Sequence, residues 1–340
     1  MYGLLYRLLL ARLDAETAHR LALRGLAVLG RVGRAARHDP VLRVRALGLE
    51  FASPLGVAAG LDKEAAAVAG LAALGFGHVE VGTVTALPQP GRPRPRLWRY
   101  PAARALVNRM GFPNAGAAAI AARLERRRPG VVVGVNVGKS AAAEDAVADY
   151  RRCAEAVAPV ADYLVVNVSS PNTVGLRDLQ EPDRLREIVR AVRAAAPRTP
   201  LLVKIAPDLA GAAIDAVVDL ALAEGLDGIV ATNTTVERPG GVGADRPEGG
   251  LSGAPLRERS LAVLRRLHER AGGRLVLVSV GGVESGADLL ERIRAGATLV
   301  QAYTGFVYGG PRWPRRVERE LARLVRAAGA ASVQQLVGKR

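Results

Sequence analysis

Five asparagines carry the first chemical signal in this sequence. Asn108, Asn136, Asn167, Asn172 and Asn233 each offer an amide donor and an acceptor, the pair of functions needed to hold a planar amide-bearing ring and a carboxylate. One asparagine at the end of a strand is ordinary turn chemistry; five among eight successive strand ends point to binding. Other reactive or polar groups fall at the same kind of position: Leu61-Asp62-Lys63, Gly82-Thr83, Lys139, Ser169-Ser170, Thr173, Pro207-Asp208, Thr234 and Tyr303-Thr304. Lysine is scarce, with only Lys63, Lys139, Lys204 and Lys339 among 48 basic residues. Lys63 and Lys204 therefore stand out as compact point charges retained where arginine is the default. Gly249-Gly250, Gly253 and Gly281-Gly282 suit a phosphate held by backbone N–H groups.

These residues need elements that bring them together. Short β-branched runs at Gly56–Gly60, His78–Thr83, Val131–Val137, Tyr163–Ser169, Leu201–Ala206, Gly228–Thr232, Leu275–Gly281 and Leu299–Thr304 each precede an alanine- and leucine-rich helical stretch. Near-continuous apolar strands covered by helices imply a parallel sheet buried on both faces, and eight successive βα units predict a (β/α)8 TIM barrel. An open doubly wound sheet is the alternative, but it would usually carry a GxGxxG turn after its first strand, and none occurs. In a barrel the strand C-termini form one face, so the polar residues would meet on one rim.

The first 38 residues read differently, as a small N-terminal helical extension to a 39–340 barrel domain. Leu4, Leu5, Leu8, Leu9 and Leu13 recur at helical spacing beside Arg7 and Arg12, and Asp14 is a candidate N-cap for a second pattern of Ala18, Ala22, Leu26 and Leu29. Such helices could pack on the barrel or lie on a membrane surface, and periodicity does not separate the two. Ala35–Pro40 reads as a linker, followed by strand-like pieces at Val41–Ala46 and Leu49–Phe51.

Composition removes several classes. The 340 residues are 49% hydrophobic and 24% charged, a globular balance without long biased tracts. A single cysteine, Cys153, rules out an intramolecular disulfide or a cysteine-rich metal site and fits a reducing compartment; the helical pattern Tyr150–Val157 makes it a structural residue. Four histidines, none paired at ligand spacing, predict no metal. The longest apolar runs, such as Leu275–Val283, fall short of the roughly 20 residues a spanning helix needs, and Arg7 interrupts any signal-peptide pattern. The formal charge of +16 comes from scattered arginines without a basic block or interleaved aromatics, so no nucleic-acid partner is expected.

In these motifs the chain resembles the dihydroorotate dehydrogenases, and within them the quinone-dependent, membrane-associated class 2. The matching stretches run through the chain in order: AAGLDK (58–63), GFGHVEVGTVT (75–85), PRPRLWR (93–99), NRMGFPN (108–114), GVNVGK (134–139), NVSSPNTVGLRDLQ (167–180), VKIAPDL (203–209), ATNTT (231–235), GGLSGAPL (249–256), VGGV (280–283) and LVQAYTGF (299–306). The resemblance implies an FMN enzyme that oxidises dihydroorotate to orotate, with Ser170 as the base at C5 while hydride leaves C6. It implies FMN contacts at Ala59, Gly60, Leu61, Asp62, Lys63, Thr83, Asn136, Asn167, Lys204, Thr232, Gly253, Gly282, Tyr303 and Thr304. Substrate would meet Lys63, Asn108, Arg109, Met110, Gly111, Phe112, Asn167, Asn172, Asn233 and Thr234. Beside a flavin, the lysines would stabilise the reduced ring electrostatically. Serine is a poor base at neutral pH, and Thr173 with a water is the candidate proton relay.

The stretch LDAETAHRLAL (13–23) resembles the signature of the class, in which paired helices form an apolar tunnel for a membrane quinone; His19, Arg99 and Tyr303 would then flank the quinone head. The same resemblance implies a monomer held peripherally on the cytoplasmic face of the cell membrane. Ser279 departs from the family pattern, where glycine is common, as does Thr304, where many have serine, and Arg238–Gly250 is an insertion of uncertain path. Ser169–Pro182 is expected to act as a mobile lid. Two rivals remain: a tRNA-modifying FMN barrel, the dihydrouridine synthases, would use a cysteine acid and a basic RNA-binding domain, neither of which is seen. A non-enzymatic phosphate-binding barrel or membrane scaffold would have no use for a complete polar rim.

Overall fold

The computed structural model describes residues 12–127, 130–246 and 248–339. Strands and helices are numbered in chain order. Eight parallel strands close into a barrel: β3 (Leu55–Val57), β4 (His78–Val84), β7 (Val132–Val137), β8 (Tyr163–Asn167), β9 (Leu201–Ile205), β10 (Gly228–Ala231), β12 (Val276–Val280) and β13 (Leu299–Ala302). Each pairs with the next in the chain, and β13 pairs with β3. This is the (β/α)8 barrel the sequence predicts, and most strands end a few residues before the apolar pattern does, because the chain is already turning into the rim loops.

The barrel is buried on both sides, which is why alternation is absent from its strands: every residue of β3, β4, β8, β9, β10 and β13 is buried. Its helical sleeve comprises α2 (Val68–Leu74), α3 (Ala117–Glu125), α4 (Ala146–Val157), α5 (Pro182–Ala195), α6 (Gly211–Ala223), α7 (Arg257–Ala271), α8 (Gly286–Arg294), α9 (Thr304–Gly309) and α10 (Trp313–Ala327). A hairpin of β1 (Val44–Ala46) and β2 (Leu49–Phe51) packs Phe51 edge-on against His78 at the start of β4, closing the end of the barrel opposite the rim.

One element has no counterpart in the sequence reading. An antiparallel sheet of β5 (Leu97–Tyr100), β6 (Ala105–Asn108) and β11 (Gly250–Gly253) stands above the rim. The Arg238–Gly250 insertion runs into β11, and its path is set by Arg238, whose guanidinium donates to the carbonyls of Val236 (2.9 Å), Arg246 (2.9 Å) and Gly249 (3.0 Å). Val242 from this insertion packs on Ala105, Val107 and Leu251 of the sheet.

Of the N-terminal extension, α1 (Ala15–Val32) is described, and Asp14 caps it by accepting the Thr17 N–H at 2.9 Å. The leucine pattern at positions 4–9 lies outside the described residues. Two glycines let α1 cross α2 closely: a Cβ on Gly70 would lie 2.0 Å from the Leu26 carbonyl, and one on Gly30 would lie 2.8 Å from the Gly70 nitrogen. Elsewhere α1 is only partly buried: Leu23 and Leu26 pack against the core, and Glu16, Ala18 and Gly30 are its fully buried residues. An ion-pair clamp also ties it down. Glu16 accepts from Arg96 at 2.8 and 3.0 Å and from Arg94 at 2.8 Å.

Burial alone would raise the Glu16 pKa, but the hydrogen bonds and charges of Arg96 and Arg94 outweigh it and bring it down to about 2. A carboxylate with a depressed folded pKa contributes stability above its unfolded value, and that contribution disappears as pH falls through the folded one. Docking of α1 should therefore weaken progressively between pH about 4.5 and 2. Amide exchange in α1, measured relative to β8 as pH is lowered, checks this, and Glu16→Gln should abolish the pH dependence. Protection in α1 that stays constant over that range would contradict the clamp.

Candidate active site

A cavity opens at the C-terminal ends of the strands. Ala59, Gly60, Lys63, Thr83, Asn167, Lys204, Thr232, Gly253, Gly282, Tyr303 and Thr304, singled out above for a cofactor, all line it. So do Asn108, Met110, Gly111, Phe112, Ser170, Asn172, Asn233 and Thr234.

Four residues of the expected set are placed elsewhere. Asp62 is fully buried and accepts from the backbone N–H groups of Glu64, Ala66 and Ala67 (3.3, 3.0 and 2.7 Å), so its carboxylate fixes the turn before α2 instead of facing the cavity. Leu61 turns to a second cavity. Asn136 lies one layer behind the wall, donating to Glu80 at 2.8 Å and accepting from Thr83 Oγ1 at 2.7 Å and Asn167 Nδ2 at 3.0 Å. Arg109 pairs with Glu248 of the insertion.

The asparagines form two hydrogen-bonded groups, Asn108 with Asn172 and Asn233 with Asn167 and Asn136. Asn172 Nδ2 donates to Asn108 Oδ1 at 3.0 Å, and Asn233 Nδ2 donates to Ser169 Oγ at 3.0 Å, which in turn donates to Asn167 Oδ1 at 3.0 Å. Asn172 Oδ1 is buried without a protein partner, as expected of a group that meets a ligand. Ser170 is 4% exposed, and its Oγ accepts the Asn172 N–H at 3.2 Å. Arg177 holds this loop by donating to the carbonyls of Ser169 (3.2 Å) and Thr234 (3.0 Å) and to Asp208 (2.8 Å). Thr173 does not line the cavity; its carbonyl accepts the Leu176 N–H at 3.2 Å.

Two lysines set the electrostatics. Burial lowers the Lys63 pKa to about 8, opposed mainly by Glu16, and its Nζ donates to the Gly60 carbonyl. Lys204, 4% exposed, is likewise lowered by burial, with Glu80 opposing. Glu80 and Gln301, paired at 2.7 Å inside the barrel, escaped the sequence reading; both lie within apolar strands, where only their inward direction reveals a role. Ser252 was also missed, and it shares a 2.9 Å hydrogen bond with Thr304 on the cavity wall.

The second cavity lies between α1 and the barrel and is almost wholly apolar. Ala18, Ala22, Leu23, Leu26 and Leu29 of α1 face Leu61, Leu74 and Phe306 across it. His19, Arg99 and Tyr303 all reach it, and the His19 and Tyr303 rings stack with centroids 6.4 Å apart. Burial, helped by the Lys63 charge, brings His19 down to about pKa 4, so it is neutral at pH 7. Burial pushes the Tyr303 phenol up, keeping its proton in place. Leu97, Leu106 and Tyr303 line both cavities and form the wall between them.

Among the described residues no cluster of three or more histidine, cysteine, aspartate or glutamate side chains could hold a metal ion, and no helix is long and apolar enough to cross a membrane. Residues 41–325 match the family model for dihydroorotate dehydrogenase. The chain is 56% identical to a dihydroorotate dehydrogenase (quinone) of Thermobifida fusca, over 99% of this chain and 96% of that one. It is 53% identical to that of Streptomyces coelicolor, over 99% and 98%. Among solved structures, DHODH of Eimeria tenella in complex with ferulenol superposes with a TM-score of 0.91 at 39% identity, covering 96% of this chain and 95% of that one.

Proposed function

The chain belongs to the dihydroorotate dehydrogenase family, and from that premise we propose a division of labour between its two cavities. The protein is an oxidoreductase that converts dihydroorotate to orotate in pyrimidine synthesis. The polar cavity binds FMN and substrate, and the apolar one admits a quinone. The observation that carries this reading is the shared wall of Leu97, Leu106 and Tyr303, which lets one bound ring be reached from both sides.

The residues present fit FMN. A Cβ on Gly253 would lie 2.2 Å from the Arg104 carbonyl and one on Gly282 would lie 2.6 Å from Arg257, so only glycine permits these two close turns, whose N–H groups suit a phosphate. Thr83, Asn167 and Lys204, which also line the cavity, supply a hydroxyl, an amide and a cation for the ring edge. The chemistry FMN supplies when bound is acceptance of the C6 hydride and passage of two electrons to a quinone.

The protein's own part is binding, orientation and proton handling. Asn108, Asn172, Asn233 and Thr234 hydrogen-bond the pyrimidine ring, and Lys63 faces the charged end of the site. Ser170 takes the proton from C5 as the C6–H bond breaks, so the substrate loses two electrons and two hydrogens in total. The Asn172 N–H favours the deprotonated Oγ by hydrogen-bonding it, and the two lysines lower the cost of negative charge in the cavity. Thr173 passes the proton on through a water. Thr173→Ala should slow substrate oxidation and enlarge its solvent isotope effect; an unchanged effect and pH profile would remove Thr173 from the path.

A quinone enters between α1 and the barrel, where neutral His19 and protonated Tyr303 offer hydrogen bonds to its head. Leu21, Val28 and Val32 stand exposed on the outer side of α1 beside Arg20, Arg24 and Arg31, which supports peripheral attachment to the cytoplasmic face of the cell membrane. The protein works as a monomer, and the 1–38 segment acts as the quinone extension of a 39–340 catalytic domain.

The decisive experiment is anaerobic addition of dihydroorotate to the purified protein. Flavin absorbance should bleach, then return on addition of a quinone analogue but not with fumarate or NAD. Absence of bleaching would refute the substrate assignment, and reoxidation by fumarate or NAD would refute the acceptor.

A further inference from the structure

Behind the turn that follows β12 lies a buried cation that the chemistry described so far does not use. Arg292, on α8, is 1% exposed. Its guanidinium donates to Ser279 Oγ at 2.8 Å, Ser260 Oγ at 3.0 Å, the Arg257 carbonyl at 3.3 Å and the Gly281 carbonyl. None of these partners is a carboxylate. Asp288 is paired with Arg257, and Glu291 reaches toward Arg257 and Arg265. Burial lowers the Arg292 pKa to about 10, opposed by the charges of Asp288 and Glu291, so it remains cationic at neutral pH. A buried guanidinium held only by hydroxyls and carbonyls carries positive potential that no bonded anion neutralises.

Two donors converge on the Gly281 carbonyl, Arg292 and Ser260 Oγ, the latter at 3.1 Å. Across a trans peptide the C=O and N–H point in opposite directions. Fixing the Gly281 carbonyl toward Arg292 therefore directs the Gly282 N–H away from it. Gly281 and Gly282 both line the polar cavity and both have positive φ, +122° and +70°. Ser279, which stands where the family pattern commonly has glycine, supplies an anchor for the guanidinium that a glycine could not.

We infer that Arg292 is a positioning residue for the phosphate end of a bound flavin nucleotide: through Ser279, Ser260 and the Gly281 carbonyl it holds the Gly282 N–H toward the cavity, and its charge favours a phosphate dianion there without touching it. This rests on the FMN reading above. Because the phosphate alone distinguishes FMN from riboflavin, the inference concerns the ratio of their affinities and not turnover.

The test titrates flavin-free protein with FMN and with riboflavin, reading quenching of ring fluorescence. Wild-type protein should prefer FMN strongly, and Arg292→Met should reduce that preference at least about tenfold by weakening FMN alone. Arg292→Lys should restore most of it, and Ser279→Gly should produce a smaller loss in the same direction. Equal weakening of both ligands in Arg292→Met, or an unchanged ratio, would overturn the inference. If Arg292→Met does not fold, Ser279→Gly decides, and an unchanged ratio there also overturns it. Wild-type protein that binds FMN no more tightly than riboflavin would instead dismiss the FMN reading itself.

Discussion

Ser170→Ala should lower the rate of flavin bleaching by dihydroorotate about a thousandfold, within the 10²–10⁴ range that a positioned acid or base contributes. FMN content and substrate affinity should change little. The change removes one oxygen from a buried loop that stays anchored elsewhere: Arg177 still bridges the Ser169 and Thr234 carbonyls to Asp208, and Asn172 still reaches Asn108. Cys153, the sole cysteine, is buried in α4 with its thiol pKa pushed far up by burial. Ser170→Cys should recover part of the activity with a rate that rises through the thiol pKa, because a thiolate forms more readily than an alkoxide. Stopped-flow bleaching under anaerobic conditions measures both variants. An alanine variant that bleaches at the wild-type rate would end the assignment of Ser170 as base.

The second large effect is expected from deleting residues 1–38. Quinone turnover should fall at least about a hundredfold, a loss of roughly 2.7 kcal/mol in transition-state stabilisation, while bleaching by dihydroorotate persists. The reason is that α1 supplies a whole wall of the apolar cavity, from Ala18 to Leu29, together with His19. None of its residues lines the polar cavity. The deletion also strips Arg96 of its carboxylate, but the guanidinium keeps its bonds to the Pro90 and Arg92 carbonyls at 2.6 and 2.8 Å. Glu16→Gln, which loosens the clamp and leaves the apolar wall present, should lose less quinone activity than the deletion. Equal loss of bleaching and quinone turnover in the deletion protein would show that the two cavities are not separable.

How much was legible beforehand differs by element. All eight barrel strands could be read because each is an apolar run buried on both faces, a pattern that needs no knowledge of neighbours. The β5, β6 and β11 sheet could not. Its strands are four residues long, β11 is Gly-Leu-Ser-Gly with little intrinsic strand preference, and β6 and β11 are 142 residues apart where Gly250 meets Asn108. Such a sheet exists only because the rim brings its strands together. Glu80 and Gln301 were hidden for a related reason, since a polar residue inside an apolar strand signals nothing until its partner across the barrel is known.

Periodicity and residue type by themselves determined the barrel, the ring of polar strand ends and the helix that begins after Asp14, because each depends on local backbone preference and burial. Only the tertiary structure decided which polar side chains reach the cavity. It turned Asp62 into a turn cap, set Asn136 one layer back and sent Arg109 to Glu248, since direction around a closed sheet follows from strand register and the path of the loops. Packing likewise decided that the polar and apolar cavities share the wall of Leu97, Leu106 and Tyr303, because residues this far apart in the chain meet only once the barrel closes and α1 docks.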